Sequence, residues 1–407
     1  MRVAVHDFPG HPGQASLSRE LARRGHDVLH LYDKTSGTAT GAVTHRADDP
    51  ASLAYEGLTV GRDFPRYSAV SRLRYEHEYA GHLIGRILSF APDVFVSSNT
   101  SLVSQRRLWI ASGARGIARV FWLQDFYSVA MRQHLVRRLG AAGRVAGGVL
   151  WRLEANLLRS AEAIVAISPD FGGILGAWGV PSDRMHVIEN WAPIEELPVR
   201  PRDNPWSRAH GLADKRVVLY AGNLGLKHDP ALLLEFSRAV RDEPDVRVVV
   251  VSRGPGRDWL ERQQAEGADD NLVILDYQPY ETLPDMLASA DVLVALLTSD
   301  AGVFSVPSKI LTNLCAARPQ VAAVPANNLA ARTVAASGGG IVIEPGNAKS
   351  FVVETRRLLA DDDLRRQMGE SARRYAEDKF RIDAVTSRFE DVLAAALQTG
   401  SPNRRLA

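Results

Sequence analysis

"VVLYAGNLGLKHDPALLLEF", residues 217–236, reads as a buried strand, a glycine turn and the start of a helix. The run from Val217 is apolar without alternation, as in a strand covered on both faces. It ends at Gly222-Asn223-Leu224-Gly225, Lys227 follows, and Asp229 and Pro230 suit the first turn of a helix. Glycines let the backbone approach an anion closely, and a lysine supplies a mobile point charge. The G-x-x-x-x-G-K-[ST] spacing is absent, so this is not a P-loop. A plain strand-to-helix connection has the same form.

Working outward, Arg216–Tyr220 opens a series continued by Val246–Val251, Leu272–Leu275, Asp291–Leu296, Gln320–Val324 and Gly340–Glu344. An earlier series comprises Arg2–Val5, a helix near Ser16–Arg24, then Asp27–Tyr32, Asp93–Ser97, Arg119–Leu123 and Ala163–Ile167. Strands alternating with helical patterns predict two parallel α/β sheets. Residues 192–208 carry Pro193, Pro198, Pro201 and Pro205 and read as an extended linker. The expected organisation is a domain over 1–191, a linker over 192–208, a domain over 209–380, and a helix and tail over 381–407. Residues 365–390 are largely amphipathic helix. Open parallel sheets bind ligands at the carboxyl ends of their strands, so the two domains are expected to face each other across a cleft.

At 407 residues, 45% hydrophobic and 24% charged, the chain has the makeup of two globular domains. A formal charge of +2 gives no argument for nucleic acid as a partner. Cys315 is the sole cysteine, which excludes an internal disulfide and a cysteine-built zinc site and fits a reducing compartment. The sequence from Met1 to Asp7 enters a strand without the apolar segment of a signal peptide, so a cytoplasmic location is expected. No run of about 18 apolar residues predicts a spanning helix, while attachment to a membrane surface stays open.

Three more strand ends in the second series carry motifs. "VVVVSRGPGRDWLE", residues 248–261, sets Gly254 and Gly256 around Pro255, flanked by Arg253 and Arg257. In Leu275–Tyr280, Tyr277 offers either a face for a nucleobase or an aromatic ring that packs a turn. "SVPSKILTNLCAARPQVAA", residues 305–323, places Pro307 near a helix start with the Ser308 hydroxyl and the Lys309 cation beside it. Such a start reads as a phosphate or diphosphate cradle if it lines a cleft, and as a solvated lysine if it does not.

The ordered set "GHPGQASLSRELARRGHDV", "AEAIVAISPDF", "VIENW", "YAGNLGLKHDP", "VSRGPG", "LPDMLASADVLVAL", "VPSKIL" and "GGGIVIEPGN" resembles the GT-B glycosyltransferases of family 4. The resemblance is to their bacterial surface-polysaccharide branch with a Pro-Ser-Lys motif, and it covers nearly the whole chain. It implies two Rossmann-like domains, a nucleoside diphosphate sugar donor held by the second, an acceptor held mainly by the first, and no further cofactor or metal. Carried across, Gly222, Asn223, Lys227, Ser308 and Lys309 would hold the donor diphosphate. Gly254 and Tyr277 would line the nucleoside, with Val306, Pro307 and Thr312 completing the donor site. Relatives of this kind usually retain anomeric configuration and commonly use polyprenyl-diphosphate-linked acceptors. Two departures bear on the donor. Thr312 stands where many relatives have the glutamate that accepts ribose hydroxyls, and Asn223 where the general pattern has arginine.

In the first series, "VHDFPGHPGQ", residues 5–14, follows a strand, and Gly10 and Gly13 are expected to close over the donor phosphates. With Asp33 they imitate part of a dinucleotide fingerprint whose G-x-G-x-x-G spacing is missing. His6, Asp7 and His11 share a loop that could move protons or simply be polar, and their spacing defines no metal site. In "FWLQDFYS", residues 121–128, Asp125 could take a proton from an acceptor hydroxyl or cap a helix. Two basic tracts interleave with apolar residues: Arg62, Phe64, Arg66, Tyr67, Arg72, Leu73, Arg74 and Tyr75, then Arg132, Leu135, Arg137, Arg138 and Leu139. Either is a solvated face or a surface for anionic lipid on the inner face of the plasma membrane. Catalysis would rest on Lys227, Lys309 and Asp125. The competing readings are a sugar-nucleotide epimerase on the same fold and a two-lobed sugar-binding protein.

Overall fold

The computed structural model describes residues 1–35, 43–62, 64–65, 69–225, 227–267, 269–302 and 304–399. Its contacts divide the chain into two compact units: Met1–Glu189 together with the chain from Ile382 onward, and Asn190–Arg381.

The first unit is built on a parallel sheet of β1 (Arg2–Asp7), β2 (Asp27–Asp33), β3 (Leu53–Leu58), β4 (Val94–Ser98), β5 (Ala118–Leu123), β6 (Ala163–Ala166) and β7 (Met185–Val187). Their spatial order is β3-β2-β1-β4-β5-β6-β7. Val3, Ala4 and Val5 of β1 are wholly buried, which is why a central strand reads as an unbroken apolar run. Strands β3 and β7 escaped the sequence reading. The former includes Glu56 and Gly57, and the latter is only Met185-His186-Val187 with no fully buried side chain.

The second unit holds β8 (Arg216–Ala221), β9 (Val246–Val251), β10 (Leu272–Leu275), β11 (Val292–Leu296), β12 (Gln320–Ala323) and β13 (Gly340–Ile343), all parallel. Their order is β10-β9-β8-β11-β12-β13. Val217, Val218, Leu219 and Tyr220 have no exposed surface, so the opening stretch is the central strand of this sheet. Each sheet reverses its strand order once, between β1 and β4 and between β8 and β11. Loops leaving the carboxyl ends of two such strands diverge to opposite sides and leave a crevice between them.

Two boundaries expected from the sequence need correction. The proline-rich stretch 192–208 is no extended linker: it belongs to the second unit, with Ala192, Ile194, Leu197 and Trp206 buried. Two of its prolines start helical turns instead: Pro193 precedes the single turn Ile194–Glu196. Pro205 opens the short helix Pro205–Ala209, capped by Asn204, whose side chain accepts from the Ser207 N–H at 3.0 Å. The chain passes from one unit to the other at Glu189 and Asn190.

The expected helical tract 365–390 is two helices, Asp362–Lys379 and Ile382–Thr399, interrupted at Phe380 and Arg381. The second is not an appended tail but part of the first unit's core. Val385, Phe389, Val392 and Ala396 form its buried stripe, and the Phe389 ring lies 4.7 Å from that of Trp122 on β5. Burying one such phenylalanine contributes roughly 1.5–3 kcal/mol. Glu390 fixes the outer side by accepting from Arg24 at 2.7 Å and pairing with His26 at 2.9 Å.

Candidate active site

The second unit's crevice brings together the two lysines singled out in the sequence. Gly222 ends β8 with φ 136°, a conformation reserved for glycine. The stem of Lys309, arriving after β11, crosses directly over it: a β-carbon at position 222 would lie 2.2 Å from Lys309 Cε. Lys309 Nζ stands 5.3 Å from the Tyr220 ring centroid. Burial lowers its pKa to about 8, because the charged form has given up hydration. Lys227 lies on the same loop as Gly222, and its carbonyl accepts the Thr298 N–H at 2.9 Å, which ties the β8 loop to the end of β11.

His228 was not anticipated. Burial, then the charges of Lys309 and Lys227, hold its pKa down to about 3, so it is neutral beside two cations. Its only sequence signal was adjacency to Lys227.

The loops after β8 and β9 are stitched together. Leu224 N donates to the Arg253 carbonyl at 3.0 Å and Gly256 N to the Leu224 carbonyl at 2.9 Å. Gly254, with φ 107°, leaves room for Asn223, whose Oδ1 would sit 2.8 Å from a β-carbon there. Tyr277 stacks under the Arg253 guanidinium, 5.0 Å from its ring centroid. Val306 is half-buried, Pro307 buried and Ser308 exposed at the N-cap of the helix Lys309–Cys315. That helix has 7 residues, so charge at this site comes from the lysines more than from a helix dipole. The Thr312 hydroxyl donates to the Lys309 carbonyl at 2.9 Å, so its proton is committed within its own helix. Cys315 is buried with its thiol pushed up to about 12, and is chemically inert.

The first unit's crevice is built from different groups. Asp7, at the end of β1, is fully buried and receives the His11 N–H at 2.5 Å, Asn99 Nδ2 at 2.8 Å and His11 Nδ1 at 3.2 Å. Burial opposes its ionisation, but the His11 charge and these hydrogen bonds outweigh it and hold the carboxyl below its ordinary value. Burial opposes charging of His11 too, and Asp7 outweighs it, raising the imidazole. Asn99 follows β4 with φ 51°, unusual for a side-chain-bearing residue. His6 has burial lowering it to about 3 and lies between Tyr79 at 2.9 Å and Thr100 at 2.6 Å. An imidazole oriented by a carboxylate through one nitrogen can exchange a proton at the other.

Gly10, φ 70°, closes the turn between Asp7 and His11, and Gly13 lies in the first turn of the helix Pro12–Arg23, its carbonyl accepting from Ser16. Beside this crevice is a cavity of about 240 Å³ whose wall includes Phe8, Asn99, Thr100, Asp125, Tyr127 and Glu154. Asp125 is thus on a cavity wall, preceding the helix cap Phe126 rather than serving as the cap. Of the first basic tract, Arg62 pairs with Glu78, and Arg72 pairs with Glu76 at 2.9 Å and covers the Phe64 ring at 5.2 Å. Tyr75 is buried and bonds Asp33, while Arg66 and Tyr67 lie outside the described residues. Among the described residues no helix is long and apolar enough to cross a membrane, and no three His, Cys, Asp or Glu side chains cluster as for a metal ion.

Residues 203–375 match the family described as Glycosyl transferases group 1, and residues 11–191 the family described as Glycosyl transferase 4-like domain. The fold matches that of HepE from Anabaena, solved with UDP and glucose, with a TM-score of 0.71 at 17% identity, covering 97% of this chain and 99% of that one. The chain is a GT-B glycosyltransferase. This glycosyltransferase is 26% identical over 313 residues to WcaI of Escherichia coli K12, named for colanic acid biosynthesis, covering 75% of this chain and 72% of that one. It is 25% identical to the alpha-D-kanosaminyltransferase of Streptomyces kanamyceticus, over 51% of this chain and 53% of the relative. Sucrose-phosphate synthase from Thermosynechococcus elongatus shares the fold with a TM-score of 0.68 at 18% identity, covering 100% of this chain and 99% of that one.

Proposed function

We propose that this enzyme takes its sugar from a nucleoside diphosphate sugar bound in the second unit's crevice and passes it to a hydroxyl of a glycan or lipid-linked glycan bound by the first. The setting would be cell-surface polysaccharide synthesis. The observation that carries the reading is Lys309 laid across Gly222, on the loop that also bears Lys227. When the bond between anomeric carbon and diphosphate oxygen breaks, the leaving diphosphate gains negative charge. Two ammonium groups fixed beforehand in a partly dry crevice favour that state over the ground state. Asn223, Gly254 and Tyr277 would border the nucleoside, and Asp125 would take the acceptor proton. The UDP and glucose seen with HepE, and the polysaccharide role in the WcaI name, support the reading.

The test is a melting curve with and without millimolar UDP or GDP, followed by transfer of labelled sugar to a lipid-linked acceptor. A ligand at 100 times its Kd stabilises by about 2.7 kcal/mol, so a rise of about 5–10 °C is expected. No shift with any nucleoside diphosphate overturns the donor site. Turnover of donor without acceptor would favour epimerisation, the activity in the name of a Listeria monocytogenes structure that shares the fold with a TM-score of 0.60.

A further inference from the structure

The carboxyl ends of the second sheet carry the lysine crevice, and its amino ends carry a cavity of about 340 Å³. Asp291 stands immediately before β11, and Ala317, Arg318 and Pro319 immediately before β12, so the cavity lies at the opposite end of the strands from Gly222 and Lys309. Its volume is in the range of small-molecule sites, about 300–1,000 Å³. The charged lining converges from four segments of chain: Arg202 from the proline-rich stretch, Asp291 and Arg318 from the two strand starts, and Arg365, Arg366 and Glu370 from the helix Asp362–Lys379. Gly369 lets that helix sit directly on the loop before β12, where a β-carbon at 369 would lie 2.4 Å from the Ala317 carbonyl oxygen.

Asp291 is the buried carboxylate of the lining. Its Oδ2 accepts the Val217 N–H at 2.7 Å, its Oδ1 accepts Arg202 Nε at 3.1 Å, and Arg365 Nε stands 4.0 Å from it. Arg318 donates to backbone carbonyls instead, those of Ala288, Ala290, Ala317 and Arg200. These bonds fix the guanidinium without cancelling its charge. Burial lowers its pKa, Asp291 raises it, and the nearby Arg202 charge lowers it again. Carbonyls anchor Arg202 and Arg365 as well: those of Ala213 and Lys215 for the first, and that of Leu358 for the second. Arg365 and Arg366 also pair with Asp362 and Asp363, but both carboxylates are 85% exposed, where water screens the attraction. Glu370 is exposed at the rim. Three guanidinium groups are thus held in place around a single buried carboxylate, with a fourth at the surface.

We propose that this cavity binds a small phosphate-bearing anion, Arg365 and Arg366 donating to its oxygens while Arg202 and Arg318 supply charge beneath it. A guanidinium has five N–H groups, and Arg366 commits one of its nitrogens, to Asp363. A tetrahedral phosphate accepts from donors arriving in several directions, which suits arginines contributed by separate segments. Because the carbonyls already hold three of the four side chains, little freedom is lost when the anion arrives. Inorganic phosphate and a phosphate monoester share this chemistry, and the cavity has room for either. The site is separate from the donor crevice, and its occupant does not depend on what that crevice binds.

The experiment is a melting curve of the full chain titrated with inorganic phosphate, and in a second arm with glycerol 1-phosphate, at an ionic strength held constant with chloride. At about ten times its Kd the anion should raise the wild-type melting temperature by about 3–6 °C. A tighter response to the ester assigns an organic phosphate, and a tighter response to phosphate assigns the free ion. R366Q should weaken binding about five- to tenfold, whereas E370Q, which removes a like charge from the rim, should tighten it about twofold. Both residues are exposed, so the unliganded variants should melt within about 2 °C of wild type. Lys309→Met should keep most of the phosphate response, because the lysine lies at the other end of the strands. The proposal is overturned if neither anion stabilises beyond chloride, if R366Q responds as wild type does, or if R366Q and E370Q shift the affinity in the same direction. Loss of the response in Lys309→Met also overturns it, since the anion would then be in the donor crevice.

Discussion

At the reversal of strand order the first unit carries Asp7, His11 and Asn99, whereas the second carries Gly222, Lys227 and Lys309. The topology is shared and the chemistry is not. The first crevice is a network of acceptors and donors bonded to one another. The second turns its backbone on glycines and sets Lys227 and Lys309 near His228, which burial first and then these two charges keep neutral. A parallel sheet thus supplies only the place of a site. Its sign is decided by a few residues in the two loops that diverge there.

The sharpest way to break this contrast is to remove the charge from the second crevice. Lys309→Met keeps the apolar stem and is expected to lower transfer turnover by about 10²–10³, with a smaller loss of donor affinity and a melting temperature at neutral pH no lower than that of wild type, since the cost of burying the charge is gone. Near-normal kinetics in the folded variant would return Lys309 to an ordinary surface role. The wild-type pH dependence carries a signature. Because burial lowers Lys309 to about 8, the unliganded protein gains stability as pH rises from 8 towards the unfolded value near 10.5. UDP affinity should do the opposite, falling above pH 8, and Lys309→Met should be flat in both.

Next in size is Gly222→Ala, which asks whether the glycine matters for what lies on it. A β-carbon 2.2 Å from Lys309 Cε must displace the lysine, and φ 136° is strained for alanine. Donor affinity is expected to drop by about tenfold, with a stability loss of about 1–3 kcal/mol. Combined with Lys309→Met, the two losses should fall short of additive, because the second change removes much of what the first disturbs. Strict additivity, measured by titration of UDP, would separate the two residues.

The smallest effect belongs to the first crevice, where Asp7→Asn should act on stability and its pH profile. The lowered carboxyl stabilises the fold above its unfolded pKa near 3.8 and loses that effect as pH falls through the folded value. The raised imidazole of His11 stabilises below about 6.5 and loses that effect as pH rises through the folded value. Their joint contribution is greatest near pH 5–6. There the variant should melt about 5 °C lower, a gap that narrows towards pH 8 and pH 3. An equal gap at every pH would mean that Asp7 matters only for packing.

The sheets were legible because unbroken valine and leucine runs such as Val248–Val251 have no other economical reading. The glycines and lysines of the second unit's crevice were legible for the same reason: they sit shortly after those runs. What escaped depended on contacts far apart in the chain. Asn99 acquires its role only when β4 lies beside β1, and nothing in its own neighbourhood announces an αL asparagine aimed at Asp7. Four prolines looked like a linker because composition cannot tell a solvated extended segment from turns packed around Trp206. Gly140 was invisible within a helical pattern, since a glycine that breaks a helix and one that merely weakens it have the same letter.

The return of Ile382–Thr399 to the first unit has a consequence for how the protein is made. The ribosome delivers residues 1–189 first, but the surface around Trp122 has no Phe389 against it until the whole second unit has been synthesised. At about 5–20 residues per second the intervening segment takes roughly 10–40 s to appear. During that interval the second unit, contiguous in the chain, has all it needs to fold, while the first waits with an aromatic face bare. The half that is synthesised first is completed last, and nascent chains stalled before Ile382 should be the ones that chaperones hold.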